Sequence, residues 1–255
     1  MIHPTAVIED SAVVSPLAQI GAFAYIGAGS HIHDHVKIGV HAVIERNTEI
    51  GEATEIFPCA CIGCAPQDIG YKGEETYVKI GRNNIIREFV TIHRATVKAD
   101  KVTQIGDNCY LMANVHIAHD CKLGNNIIMA NGASLSGHVQ VDDNAVFSGI
   151  LGVHQFVRIG KLAMISALSR ISRDVPAYCT IYDDKIEGLN VVGLRRSGVS
   201  AQVRSELKKA LKIFLDRSIT VNVAHERLAE LVQYDEIKIF RESCKGSVRS
   251  VIRKG

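Results

Sequence analysis

Apolar residues return along most of this chain with a period of six, separated by polar and small residues. Aliphatic residues stand at Ile2, Ile8, Val14, Ile20, Ile26, Ile32, Ile38, Ile44, Ile50, Ile56 and Ile62. The count resumes at Ile80, Ile86 and Ile92. It resumes again from Ile105 through Leu111, Ile117, Leu123, Met129, Leu135, Val141, Phe147, Val153, Ile159 and Ile165 to Ile171. Glycine often follows, as in Ile20-Gly21, Ile38-Gly39 and Ile105-Gly106. A helix cannot use this spacing, because six steps of about 100° scatter successive aliphatics over different faces. Short strands that each turn one apolar residue inward can. The period therefore predicts a mainly β chain built as a parallel β-helix of hexapeptide repeats. Three strands make one coil of eighteen residues, with coils about 4.8 Å apart and about eight or nine in all.

Two loops break the pattern. The first, near Ala65–Val78, keeps the six-residue count, although Asp68 and Glu74 take the aliphatic positions. The second, near Ala95–Gln104, adds one residue to the count. Interruptions of a solenoid tend to fall on one face and serve binding, or are tolerated as surface insertions. After Ile171 the repeat stops, and an irregular stretch carries Gly188, Gly193 and Gly198. The period then turns helical, with Val203, Leu207, Leu211, Phe214 and Leu215 on one face and Ser200 as N-cap. Leu228, Leu231 and Val232 predict a second helix, and Ile237, Phe240, Val248 and Val251 further ones. The division expected is a β-helix over 1–186 and a helical C-terminal domain over 187–255.

Composition narrows the function classes. The chain of 255 residues is 47% hydrophobic, enough for a sizeable core, and aromatics are only 5%. A net charge of +2 gives no nucleic-acid signal, and no apolar run is long enough for a membrane span. The repeat starts at the second residue, leaving no apparent signal peptide. Seven cysteines, an odd number in a long chain, suggest reduced thiols and a cytoplasmic location. Cys59, Cys61 and Cys64 resemble a metal cluster but lack a completing pair, so they read as small fillers of turns. The basic residues Lys208, Lys209, Lys212, Arg217, Lys238 and Arg241 suit either solvation or an acidic partner.

Candidate chemistry follows from stacking the repeat. His119 plus eighteen is Gly137, and Asp120 plus eighteen is His138. These four residues should form one patch on neighbouring coils, with His116 just before it and His154 one coil beyond. A histidine can act as general base, a carboxylate can orient it, and a glycine N–H can meet an oxyanion. That set suits acyl transfer from an activated thioester. The alternatives are polar residues capping exposed corners, as read for His31, His33, His35 and His41, and a three-histidine zinc site of hydratase type.

The sequence resembles the UDP-N-acetylglucosamine 3-O-acyltransferases of the lipid A pathway. The resemblance is carried by GCAPQD at Gly63–Asp68, REFVTIHRAT at Arg87–Thr96, HIAHDC at His116–Cys121 and SGHVQVDD at Ser136–Asp143. VHQF at Val153–Phe156, RDVPAY at Arg173–Tyr178 and GLNVVGLRRSG at Gly188–Gly198 extend it over the whole chain. The resemblance implies a left-handed helix, against the usual right-handed crossover, and a homotrimer with sites between subunits. It implies an acyl carrier protein thioester as donor, UDP-N-acetylglucosamine or a 3-amino analogue as acceptor, and no cofactor or metal. Carried over, it makes His119 the base, Asp120 its partner and the Gly137 N–H the oxyanion contact. His116, His138, His154 and Gln155 would shape the substrate site, and Gln67 and Asp68 would meet the sugar. Asn190, Arg195 and Arg196 would face the nucleotide and carrier, and Ala167 would limit acyl length.

The sequence departs from one relative at Gly70, where that relative has a lysine in the sugar-facing loop, at Val192, where it has a glutamate, and at Ser197, where it has a further arginine. The related N-acyltransferase of the pathway carries an additional N-terminal domain, for which the early start of the hexads leaves no room. A non-catalytic or ice-binding solenoid would need flat threonine-rich faces, which this sequence lacks.

Overall fold

The computed structural model describes residues 1–232 and 234–253. Strands of mostly two residues wind into a left-handed parallel β-helix with a triangular section. The first sheet stacks nine strands from Val7–Ile8 to Arg170–Ile171, and the second eight from Val13–Val14 to Arg158–Ile159. The third stacks ten from Gln19–Ile20 to Lys185–Leu189. The hexad aliphatic is the second residue of almost every short strand and points inward, so Ile26, Ile44, Ile62, Ile86, Ile117 and Ile165 are fully buried in one column. Each such side chain contributes roughly 1.5–3 kcal/mol by leaving water. The column is open at its start: Ile2 is 47% exposed, and Ile8 and Val14 are only half-buried, so the first hexads do not form core as the period predicts.

The glycine after the inward residue has a steric cause. A Cβ on Gly21 would lie 2.8 Å from the Val40 nitrogen of the next coil, and one on Gly51 would lie 2.5 Å from the Gly81 carbonyl carbon. Between strands the chain turns through a corner whose second residue takes the left-handed conformation, as at Asn108, Asp120, His138 and Phe156.

Both loops leave the same corner, between the first and second sheets, on consecutive coils. Ile62 pairs with Ile92 and Ile50 with Ile80, thirty residues on in place of eighteen. The first loop keeps the six-residue count because it inserts two whole hexads into one corner, not because it completes a coil. Ile80 pairs with Ile105, twenty-five residues on, which absorbs the second loop.

The tail differs in detail from the reading of its periodicity. The strand Lys185–Leu189 runs antiparallel to Cys179–Tyr182, so the division expected at 186 falls inside a strand. A short helix, α1 (Val191–Arg196), occupies the stretch read as irregular. Helix α2 (Ala201–Leu215) begins at Ser200, whose side chain accepts from the Val203 N–H, and buries Val203, Leu207, Ala210, Leu211 and Phe214. Helix α3 (Val221–Glu230) ends before Leu231 and Val232, which therefore lie outside it. Helix α4 (Asp235–Ser243) buries Ile237 and Phe240. Val248 and Val251 are not helical: Val248 is 87% exposed, and Val251 bridges to Asp174 of the β-helix.

Candidate active site

The corner between the first and second sheets brings the candidate residues together. In the coil of His116–Ile117 it presents His119 and Asp120, one coil on Gly137 and His138, and a further coil on Gln155 and Phe156. Asp120 and His138 both hold the left-handed corner position, which sends their side chains to the same side.

His119 Nδ1 lies 2.7 Å from Asp120 Oδ2. A carboxylate only accepts, so Nδ1 carries the ring proton and Nε2 keeps its lone pair. The carboxylate is fully buried and accepts further from the Thr96 N–H at 3.1 Å and the Thr96 hydroxyl at 2.8 Å. Burial by itself would raise the Asp120 pKa, but the hydrogen bonds from His119 and Thr96 outweigh it and hold it below the usual carboxylate value. The Asp120 N–H is in turn fixed by the Thr103 hydroxyl at 2.8 Å.

Gly137 is required for space and not for its backbone angles. A Cβ there would lie 2.6 Å from His119 Cε1 and 2.8 Å from Nε2, so only glycine lets the ring seat. Among the described residues the Gly137 N–H has no acceptor. His138 packs edge-on against His119 at 5.3 Å between centroids and stacks on Phe156 at 4.5 Å. Burial lowers the His138 pKa, against the opposing pull of Asp120.

His116 lies on the same coil as His119, in the strand His116–Ile117 that leads into the corner. Its Nδ1 is 2.8 Å from the Thr91 hydroxyl, and its ring meets His93 edge-on. Burial lowers the His116 pKa and takes that of His93 to about 4, keeping both neutral. The trio that comes within ligand range of itself is His119, Asp120 and His138, with ligand atoms within 4.8 Å of one another. His116 is not among them, so within one chain the three histidines do not gather as a ligand set among the described residues. Cys59, Cys61 and Cys64 do not form such a group among the described residues either.

The two inserted loops meet beside this row. Lys98 Nζ lies 2.6 Å from Asp68 Oδ2, and the Gly70 N–H donates to Asp68 Oδ1 at 2.6 Å. The Lys98 contact and the Gly70 N–H hold Asp68 below the usual carboxylate range. A side chain on Gly70 would put its Cβ 3.1 Å from that ammonium. Lys98, from the other loop, thus occupies the space beside Gly70. Gln67 is exposed beside it.

Of the remaining residues singled out from the sequence, His154 and Gln155 share this corner, whereas Asn190, Arg195, Arg196 and Ala167 are not brought to it within one chain. His154 and Gln155 lie on it two coils above His119, exposed. Asn190 caps α1 through the Gly193 N–H, and its amide donates to the Leu162 carbonyl at the corner between the second and third sheets. Arg195 and Arg196 are exposed on α1. Ala167 is exposed at the third corner, beside Leu168. Thr96, Lys98, Thr103 and His93 were missed by sequence reasoning. They sit in or after the loops, where the eighteen-residue stacking rule fails.

The comparisons agree with this architecture. Residues 174–252 match the profile described as UDP-N-acetylglucosamine O-acyltransferase, domain 2, and residues 103–137 match the bacterial transferase hexapeptide. The chain is 46% identical over 242 residues to the acyl-[acyl-carrier-protein]–UDP-N-acetylglucosamine O-acyltransferase of a Synechocystis species, covering 94% of this chain and 87% of that one. It belongs to that family. The crystal structure of the UDP-N-acetylglucosamine O-acyltransferase of Moraxella catarrhalis superposes with a TM-score of 0.95 at 38% identity, covering 99% of both chains. That of Bacteroides fragilis gives 0.96 at 37%, covering 99% and 100%. No helix among the described residues is long and apolar enough to cross a membrane.

Proposed function

We propose that His119 is the general base in transfer of an acyl chain from acyl carrier protein to the 3-hydroxyl of UDP-N-acetylglucosamine, the first step of lipid A biosynthesis. One observation carries this: His119 is held by Asp120 with its Nε2 edge against Gly137, whose N–H is unclaimed among the described residues. His119 Nε2 takes the hydroxyl proton as the oxygen attacks the thioester carbonyl carbon. The charge that develops on the carbonyl oxygen is met by the Gly137 N–H. Collapse breaks the carbon–sulfur bond, and the thiolate takes the proton back from His119. Asp120 stabilises the transient imidazolium without taking its proton. No cofactor or metal enters these steps.

His116, His138, His154 and Gln155 line the path beside the base, and Gln67 with the Asp68–Lys98 pair faces the sugar. Asn190, Arg195 and Arg196 serve the nucleotide and carrier, and Ala167 ends the acyl groove. In one chain these residues occupy three different corners, so a single substrate reaches them only between copies. Phe89, Ile150 and Leu168 leave an apolar ridge along the Ala167 corner, 56%, 68% and 71% exposed, which a second copy would cover. Both features support a homotrimer. Lys208 and Lys212, with Leu211, Leu215 and Arg227, line a cavity of about 750 Å³ on the tail and suit an acidic carrier protein. The soluble donor and seven unpaired cysteines favour the cytoplasm.

Incubation with UDP-N-acetylglucosamine, its 3-amino analogue and a panel of acyl carrier protein thioesters, followed by mass spectrometry, tests the reading. An O-acylated nucleotide made by wild type and lost in His119→Ala is expected. Product formed equally well by His119→Ala would overturn the assignment.

A further inference from the structure

The chain's C-terminal segment returns to the active-site corner. The Asp174 N–H donates to the Ser250 carbonyl at 2.8 Å, and the Ile252 N–H to the Asp174 carbonyl at 2.8 Å. The buried Asp174 carboxylate also accepts the Ser247 N–H at 3.0 Å. These bonds set Arg249 over the top of the corner row. Its Nη2 lies 2.7 Å from His154 Nδ1, and its Nε donates to the Gln155 carbonyl at 2.8 Å. Two hydrogen bonds from one planar fork fix both the guanidinium and the ring.

The chemistry of this contact decides a tautomer. His154 Nδ1 lies 2.7 Å from a guanidinium that can only donate and 3.4 Å from the Gln155 carbonyl that can only accept, and the shorter, charged contact makes Nδ1 the acceptor and puts the ring proton on Nε2. The same corner thus holds two histidines in opposite states. Asp120, an acceptor, leaves His119 with a free lone pair at Nε2. Arg249, a donor, leaves His154 with an N–H there. One histidine is set to receive a proton and the other to offer a hydrogen bond.

We infer that Arg249 is a positioning residue that locks His154 as an Nε2–H donor for the negatively charged diphosphate of the acceptor nucleotide. His154 and Gln155 lie two coils above His119, about 10 Å along the axis. A sugar nucleotide with its hydroxyl at His119 spans a distance of this order before its phosphates. The half-buried guanidinium behind the ring adds positive charge, which suits a phosphate oxygen and gives nothing to an acyl chain. The inference rests on the acyl-transfer reading proposed above.

The test uses the intact enzyme. Long-range ¹H–¹⁵N spectra of histidine-labelled protein, assigned with His154→Gln, should show one Nε2–H tautomer for His154. Arg249→Met should turn this into a mixture and raise KM for UDP-N-acetylglucosamine about tenfold, as for loss of one good hydrogen bond. The thioester KM and kcat should stay within about twofold, since neither the base nor the carrier surface is touched. Arg249→Lys, which keeps a donor without the fork, should restore part of the acceptor KM. In the His154→Gln background the Arg249→Met change should add little. An unchanged tautomer in Arg249→Met would overturn the lock. A shifted tautomer with an unchanged acceptor KM would overturn the positioning role. Wild type that makes no acylated nucleotide would instead sink the underlying acyl-transfer reading, a separate outcome.

Discussion

Two corners of the same β-helix use polar residues in opposite ways. At the corner between the second and third sheets, Asp107, Asn125 and Asp143 form a ladder. The Arg82 N–H donates to Asp107 Oδ1 at 2.9 Å, the Asp107 N–H to Asn125 Oδ1 at 2.8 Å, and the Asn125 N–H to Asp143 Oδ1 at 2.7 Å. Each side chain caps the backbone donor of the coil before it. At the active-site corner the equivalent positions hold His119, Gly137 and Gln155. None is Asp or Asn, so no short carboxyl or amide oxygen reaches down to the coil below, and the Gly137 N–H has no acceptor among the described residues. Backbone geometry is shared, while the corner side chain decides whether an N–H stabilises the coil or stays available for chemistry. The ladder caps the N–H groups of Arg82, Asp107 and Asn125, whereas the Gly137 N–H, like that of Asp143 at the top of the ladder, has no acceptor among the described residues.

The largest break in this comparison is at the base. His119→Ala should lower kcat by about 10²–10⁴ with the fold intact, checked by steady-state kinetics beside circular dichroism. A kcat near wild type would dismiss His119 as base. Gln155→Asn sharpens the contrast next, because it writes the ladder residue into the catalytic corner. Its amide oxygen should cap the Gly137 N–H, costing up to about 10² in kcat with unchanged or improved thermal stability, since losing one oxyanion donor costs about 10²–10³. Full activity in a variant whose amide exchange shows Gly137 protected would separate that N–H from the chemistry.

Smaller effects probe the surroundings. Lys98→Ala should raise the acceptor KM severalfold by freeing Asp68 and the first loop, with little change in the thioester KM. Equal rises in both would point to general disorder of the corner. The ladder is tested by Asn125→Ala, which leaves the Asp107 N–H uncapped and should cost about 1 kcal/mol in denaturant unfolding without touching kcat. An effect on kcat as large as that on stability would erase the distinction between the corners.

Acid stability gives a further check. His93 is buried with its pKa lowered to about 4. The unfolded chain therefore binds this proton first, near its ordinary value of 6.5. His93 contributes stability in full above that value, and the contribution is lost as pH falls from 6.5 towards 4. His93→Gln should flatten the loss of Tm across this window. An identical pH dependence in the variant would show that other groups carry it.

Much of this was legible in the sequence because the β-helix is nearly one-dimensional. A period of six fixed strand, inward face and coil, and adding eighteen placed His119 beside Gly137 before any coordinates were needed. The α2 helix and its Ser200 cap were legible for the same local reason. Stacking arithmetic failed where the chain left the coil. The insertion of two whole hexads at 65–76 kept the count while leaving the helix. Thr96 and Lys98 reach the site from such an insertion, and no periodicity places them.

The sequence by itself determined the repeat, the inward column and the grouping of His119, Asp120 and Gly137, because these depend on neighbours adjacent in the chain or six or eighteen residues apart. Only the tertiary structure decided that Lys98 fills the space above Gly70, that Asn190 spends its amide on a cap, and that Arg249 returns to His154. It also set His119 against an acceptor, Asp120, and His154 against a donor, Arg249. Each of these depends on contacts between segments whose separation follows no period, and hydrogen-bond direction there is fixed by which partner arrives.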